Sequence, residues 1–128
     1  MEMTMNLPKV LLIDDEQEFV SALKERFALR GLTVEIALNG EEGLSRIKTQ
    51  SFDVVLLDMR MPGMNCQDIM RHIKEISPRT QIIIMTGYGS VQEGALDEYA
   101  DAYTFLEKPI KISELMELIQ QAASELPD

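Results

Sequence analysis

Val54-Val55-Leu56-Leu57-Asp58 decides how the whole chain is read: four apolar residues run straight into a carboxylate. Three other stretches follow the same plan with different chemistry at the end. Val10-Leu11-Leu12-Ile13 meets Asp14-Asp15-Glu16, Ile82-Ile83-Ile84-Met85 meets Thr86, and Phe105-Leu106 is followed by Glu107, Lys108 and Pro109. A short apolar run without polar alternation marks a strand buried on both faces of a parallel sheet. Ligands of such sheets bind beyond the carboxyl ends of the strands. One rule therefore carries acids, a hydroxyl and an ammonium to the same edge of one sheet.

Between these runs the periodicity changes to that of helices. Strands are expected at 9–14, 33–37, 52–58, 81–86 and 103–107. The first helix is expected at 16–29, with Phe19, Val20, Leu23 and Phe27 on one face and Gly31 as its C-terminal cap. Asn39-Gly40 opens a short second helix carrying Leu44 and Ile47. Pro62-Gly63 marks a turn, and Asn65 caps a third helix whose buried face is read as Ile69, Ile73 and Ile76. A weaker fourth helix is expected at 90–99, with Gly94 in its middle and a thin apolar face around Val91 and Ala95. A last helix is expected at 111–124, with Ile112, Leu115, Met116, Ile119 and Ala123 inward.

The order is βαβαβαβαβα with short connections, and right-handed crossovers make this a doubly wound α/β sheet. The expected fold is flavodoxin-like, (βα)5, with a five-stranded parallel sheet in the order 2-1-3-4-5. That order places the ends of the first and third strands side by side at the switch point. Asp14, Asp15 and Asp58 should then share one crevice.

The chain has 128 residues, enough for one domain with a real core. We expect a flexible N-terminus at 1–8, the domain at 9–124 and a tail at 125–128. A formal net charge of −10 argues against direct nucleic-acid binding, which rests on Lys and Arg contacts to phosphate. No apolar run approaches the roughly 20 residues of a membrane span. The opening residues carry no secretory signal. The one cysteine, Cys66, fits a reducing cytoplasm and is read as a packing residue.

Three carboxylates within about 5 Å repel one another by about 3 kcal/mol per pair at an effective dielectric near 20. Such a cluster holds either protons or a cation, and oxygen ligands without His or Cys favour a hard ion, best Mg²⁺ (or Mn²⁺). Asp14-Asp15 taken alone is equally well read as acid placed at a helix start. With Asp58, Thr86 and Lys108 at neighbouring strand ends, the reading as a site prevails. Lys108 can pair with a carboxylate or a phosphoryl oxygen.

These segments resemble the receiver domains of two-component response regulators. LLIDDE at 11–16, VVLLDMRMPGM at 54–64, IIIMTGYGS at 82–90 and FLEKPI at 105–110 carry the resemblance, which covers about 9–123. It implies that Asp58 is the phospho-acceptor and that Asp15 is a direct metal ligand. Asp14 would hold metal-bound water, and Arg60 would offer its backbone carbonyl to the metal. It also implies that Thr86 is a switch hydroxyl, that Lys108 contacts the phosphoryl group, that Phe105 is the switch aromatic and that the Lys108-Pro109 bond is cis. TGYGS is similar to receivers attached to ATPase-type transcriptional activators. Two departures stand out: Asn65-Cys66 where the family often has Asp-Gly, and Asp101-Ala102-Tyr103-Thr104 where it often has Gly-Ala-Asp-Asp.

The donor implied by the resemblance is a phosphohistidine on a sensor histidine kinase or phosphotransfer protein. The expected recipient is a downstream protein or a tethered output domain, reached through the face made by 90–99, the fifth strand and the last helix. Dimerisation on phosphorylation enters by resemblance only. Lone His72, on the third helix, is read as a surface or packed residue. Two rivals remain: a Mg²⁺-dependent aspartyl-phosphate hydrolase and a binding module that works without phosphorylation. The hydrolase reading lacks its second acid, because Arg60 stands two residues after Asp58. The expectation is therefore a phospho-acceptor that assists its own phosphorylation and dephosphorylation, and not a dedicated turnover enzyme.

Overall fold

In the computed structural model, residues 7–61, 63, 65–87 and 99–125 are described. The elements are β1 (Val10–Ile13), α1 (Gln17–Leu29), β2 (Val34–Ala37), α2 (Gly40–Thr49), β3 (Val54–Asp58), α3 (Cys66–Ile76), β4 (Gln81–Thr86), β5 (Thr104–Glu107) and α4 (Ile112–Ser124). The expected helix at 90–99 falls outside the described residues except for Tyr99. Pro62 and the outer parts of both termini also fall outside them.

All strand pairs are parallel, and the sheet order is β2-β1-β3-β4-β5. This is the flavodoxin-like order expected from the alternation of strands and helices. β1 and β3 are buried along their whole length, whereas the edge strands β2 and β5 are only partly covered. Side chains alternate across a strand. Val10, Leu12, Val54, Leu56, Ile83 and Met85 therefore face α1 and α4, which supply Val20, Leu23, Phe27, Leu115 and Ile119. Leu11, Ile13, Val55, Leu57, Ile82 and Ile84 face α2 and α3, which supply Ile47, Ile69, Met70 and Ile73. The continuous apolar runs are thus explained by two hydrophobic layers sharing one sheet.

The ends of the helices follow local chemistry. α1 closes with Gly31 at φ +82°, just beyond the cap residue Arg30. The Gly31 and Leu32 amides donate to Ala28 and Phe27 carbonyls at 3.0 and 2.9 Å, the paired bonds of a Schellman turn. The Asn39 side chain caps α2 by accepting from Glu42 N–H at 2.8 Å. The Glu42 carboxylate in turn accepts from the N–H of Leu38, the residue before the cap, at 2.7 Å. Asn65 caps α3 through Asp68 N–H at 3.1 Å. Gly43 admits α2 onto β1: a Cβ there would lie 2.5 Å from the Ile13 Cδ1 atom.

Some sequence expectations need correction. Ile76 is 37% exposed and not on the buried face of α3, because it is the last residue of the helix. Phe19 and Ala123 do pack against the core as expected, each partly buried, and Ala122, which the periodicity did not single out, takes the fully buried position in α4. Several strands begin one or two residues later than periodicity implied, since flanking residues such as Lys9 and Phe52 lie beside the sheet without being part of the ladder.

Candidate functional site

The crevice lies where β1 and β3 end side by side. Ile13 pairs with Leu57 in register, so Asp14, just past the end of β1, and Asp58, the last residue of β3, come side by side. Carboxylate oxygens of Asp14, Asp15 and Asp58 all lie within 4.8 Å of one another. Asp14 is wholly buried, Asp58 is nearly so, and Asp15 is exposed at the mouth. β4 brings Thr86 one position beyond Met85, the register partner of Asp58. Thr86 is buried, and its carbonyl accepts the Lys108 backbone N–H at 2.7 Å. That bond holds the end of β5 against the end of β4. The Lys108-Pro109 peptide is cis.

Lys108 reaches across the crevice. Its Nζ donates to Asp14 Oδ2 at 3.0 Å and to Glu16 Oε1 at 2.8 Å, and it stands 3.6 Å from Asp58 Oδ1. It also lies 4.5 Å from the centre of the Phe19 ring. One ammonium therefore serves the inner carboxylates and an outer one, and the site keeps an excess of negative charge. Burial alone would lower the Lys108 pKa; hydrogen bonds to Glu16 and Asp14 outweigh it and raise the pKa above its usual value. Burial raises the Asp14 pKa, against the lowering effect of the Glu16 backbone N–H and Lys108. Burial, and then the nearby charge of Asp14, push Asp58 up to about 6, although Lys108 and the Arg60 backbone N–H pull it down.

The donor set suits a hard cation. Among the described residues, three carboxylate oxygens converge without nitrogen or sulfur ligands, and Asp58 is raised first by burial and then by the charge of Asp14, a cost to the ionised form that a cation would offset. The Arg60 backbone lies at the site through its N–H bond to Asp58. Its side chain is exposed. Phe105 is half-buried and meets Tyr99 edge-on, with ring centroids 5.6 Å apart and planes at 86°.

Glu16 was visible in the sequence only as the third acid of LLIDDE. Its contact with Lys108 joins residues 92 positions apart, and no local pattern announces it. Phe19 likewise read as a core position and proves to flank the ammonium as well. Cys66 is free and buried near Asp58, and burial pushes its thiol up to about 12, so it is an unreactive packing residue.

A doubly wound sheet with acids, a hydroxyl and a lysine collected at its carboxyl edge defines a class: the phospho-accepting signalling modules of CheY-like fold. Comparison with known proteins gives the same class. The family described as response regulator receiver domain matches residues 10–120, and the chain belongs to it. Sporulation initiation phosphotransferase F of Bacillus subtilis is 32% identical over 113 residues, covering 88% of this chain and 91% of that protein. The DNA-binding transcriptional regulator NtrC of Salmonella typhimurium is 32% identical over 115 residues, 90% of this chain but only 24% of that protein. The chain thus spans about a quarter of the length of the NtrC relative. A crystal structure of a response regulator receiver domain protein from Clostridium thermocellum superposes with a TM-score of 0.81 at 37% identity, covering 92% of this chain and 95% of that one.

Proposed function

We propose that Asp58 accepts a phosphoryl group from a sensor histidine kinase or phosphotransfer protein, and that residues 9–124 act as the receiver unit. The observation that carries this reading is the buried Asp58 carboxylate standing between two further acids and the Lys108 ammonium. In the reaction, an Asp58 carboxylate oxygen forms a bond to phosphorus while the bond from phosphorus to the donor breaks, and the donor leaves with the bonding pair. Asp14, Asp15, Asp58 and the Arg60 carbonyl would hold Mg²⁺ (or Mn²⁺). When bound, that ion supplies charge neutralisation at the transferred oxygens. Lys108 donates to a phosphoryl oxygen. The Thr86 hydroxyl, at the end of the neighbouring strand, donates to another.

Phosphorylation takes Asp58 from one negative charge to nearly two and adds acceptor oxygens. A charge-assisted hydrogen bond from Thr86 contributes about 1.5–3 kcal/mol, enough to move a two-state equilibrium roughly ten- to a hundredfold. Its movement frees space for Phe105, whose half-buried ring carries the change towards an output face that includes β5 and α4. The recipient is a downstream protein or a tethered output domain, with dimerisation through the same face as one form of output. The length of the NtrC relative supports a tethered domain, and the near-complete match to the phosphotransferase supports a free-standing module. The work is that of a phospho-acceptor and not of a turnover enzyme, since Arg60 occupies the position of a second catalytic acid. No helix among the described residues is long and apolar enough to cross a membrane; action in the cytoplasm is part of the same proposal and rests on membership of the receiver family.

Acetyl phosphate with Mg²⁺ provides the test. The parent chain should gain one acid-stable, base-labile phosphoryl group, and Asp58→Asn should gain none. Equal labelling of the two would sink the assignment. Multiple turnover of a small phosphoester would favour the hydrolase instead.

A further inference from the structure

Lys108 is held from both sides of the crevice mouth. Its Nζ donates to the exposed Glu16 at 2.8 Å and to the buried Asp14 at 3.0 Å, whereas Asp58, the acid that would take the phosphoryl group, stands at 3.6 Å. The Phe19 ring, 4.5 Å away, flanks the ammonium from α1, the helix that follows Glu16. Glu16 occupies the N-cap position of α1, yet its side chain makes no capping hydrogen bond. Its backbone N–H donates to Asp14 Oδ1 at 2.9 Å, which ties the position of Glu16 to the crevice. Its carboxylate is 61% exposed and lies outside the cluster of Asp14, Asp15 and Asp58. Glu16 can therefore keep hold of Lys108 while the three inner acids serve a cation.

We propose that Glu16 is a positioning residue that tethers the Lys108 ammonium at the rim of the crevice, so that phosphoryl transfer to Asp58 requires its release. This rests on the reading of Asp58 as phospho-acceptor. The transfer itself is unchanged: the phosphorus–oxygen bond to Asp58 forms as the donor bond breaks, and Lys108 moves from one oxygen partner to another without losing a proton. An exposed pair of this kind restrains its lysine by a factor of roughly two to five.

Four full-length chains test the tether: parent, Glu16→Gln, Glu16→Asp and Asp58→Asn. Two readouts are taken, the initial rate of phosphorylation by acetyl phosphate with Mg²⁺, and the rate at which Lys108 reacts with trinitrobenzenesulfonate in metal-free protein. Glu16→Gln removes the charge. Glu16→Asp keeps it but falls one methylene short of the lysine. Both variants should raise both rates about two- to fivefold over the parent. A Glu16→Asp chain that matches the parent while Glu16→Gln is faster would overturn the tether in favour of a general charge effect. Parent-like rates in both variants would overturn it as well. If the parent takes up no phosphate, or Asp58→Asn takes up as much, the reading of Asp58 fails, and Lys108 reactivity still decides the tether: raised in both variants upholds it, unchanged rejects it.

Discussion

The two ends of the sheet treat polar groups in opposite ways. At the amino ends of the strands the polar groups are met one by one, by backbone groups, hydroxyls and a lysine. Asp53 accepts the Lys9 backbone N–H at 2.9 Å. The buried Thr80 hydroxyl donates to the Phe52 carbonyl at 2.8 Å and meets the Ser77 hydroxyl at 2.6 Å, while Lys74 donates to the Thr80 carbonyl at 2.6 Å. At the carboxyl ends, Asp14, Asp58 and Glu16 all draw on the one ammonium of Lys108, and Asp15 joins the cluster without it. One end is closed by local satisfaction and serves stability. The other is left short of positive charge, and a site short of charge can respond to a cation or a phosphoryl group.

The sharpest way to break this contrast is to neutralise Asp58. Its folded pKa of about 6 lies above the usual 3.8, so the folded state binds more protons than the unfolded state between these values. Stability from this group is therefore present below about pH 4 and is lost as pH rises through 6, a loss of about 3 kcal/mol. Asp58→Asn should make the metal-free protein more stable at pH 7.5 by up to about 3 kcal/mol and leave it unchanged at pH 4. Urea unfolding at the two pH values measures this, and a loss of stability at pH 7.5 would contradict the picture of an overcharged crevice.

At the opposite end the sign should reverse. Thr80→Val keeps the shape but strands the Phe52 carbonyl and the Ser77 hydroxyl, and should destabilise the fold by about 1–2 kcal/mol at any pH without altering phosphorylation. A phosphorylation defect in folded Thr80→Val would mean that the two ends are coupled.

Cation binding gives a third, smaller effect. Mg²⁺ at ten times its dissociation constant should stabilise the protein by about 1.4 kcal/mol at pH 7.5. The gain should shrink at pH 5, where Asp58, with its pKa of about 6, is mostly protonated. A gain independent of pH would place the ion elsewhere. Smallest of all, Ile76→Ala should change stability by less than about 0.5 kcal/mol, because that side chain is 37% exposed; the same change at Ile73, 0% exposed, should cost about 2–5 kcal/mol.

Much of the fold was legible because both faces of the sheet are covered. Leu11 and Leu12 face different layers yet both must be apolar, so the run announces a central strand without revealing which side each residue serves. Helix ends were legible where one residue does the work, as at Gly31 and Asn65. Ile76 misled because hydrophobic periodicity runs to the last residue of a helix whether or not that residue is covered. Asp14, Asp58 and Thr86 were legible as candidate site residues, since each directly follows an apolar run, and Lys108 because it stands two residues beyond one. Glu16 and Phe19 were not, because nothing local distinguishes an acid or an aromatic at a helix start from one that meets a lysine near the other end of the chain.

By itself, then, the sequence determined a doubly wound parallel sheet and the edge at which the acids gather, for apolar runs and right-handed crossovers leave only a handful of topologies. Which carboxylate holds Lys108 was decided by tertiary structure alone. Hydrophobicity sets the position of a strand to within a residue, but a salt bridge depends on ångströms, and those were settled only when the end of β5 came to rest against the start of α1.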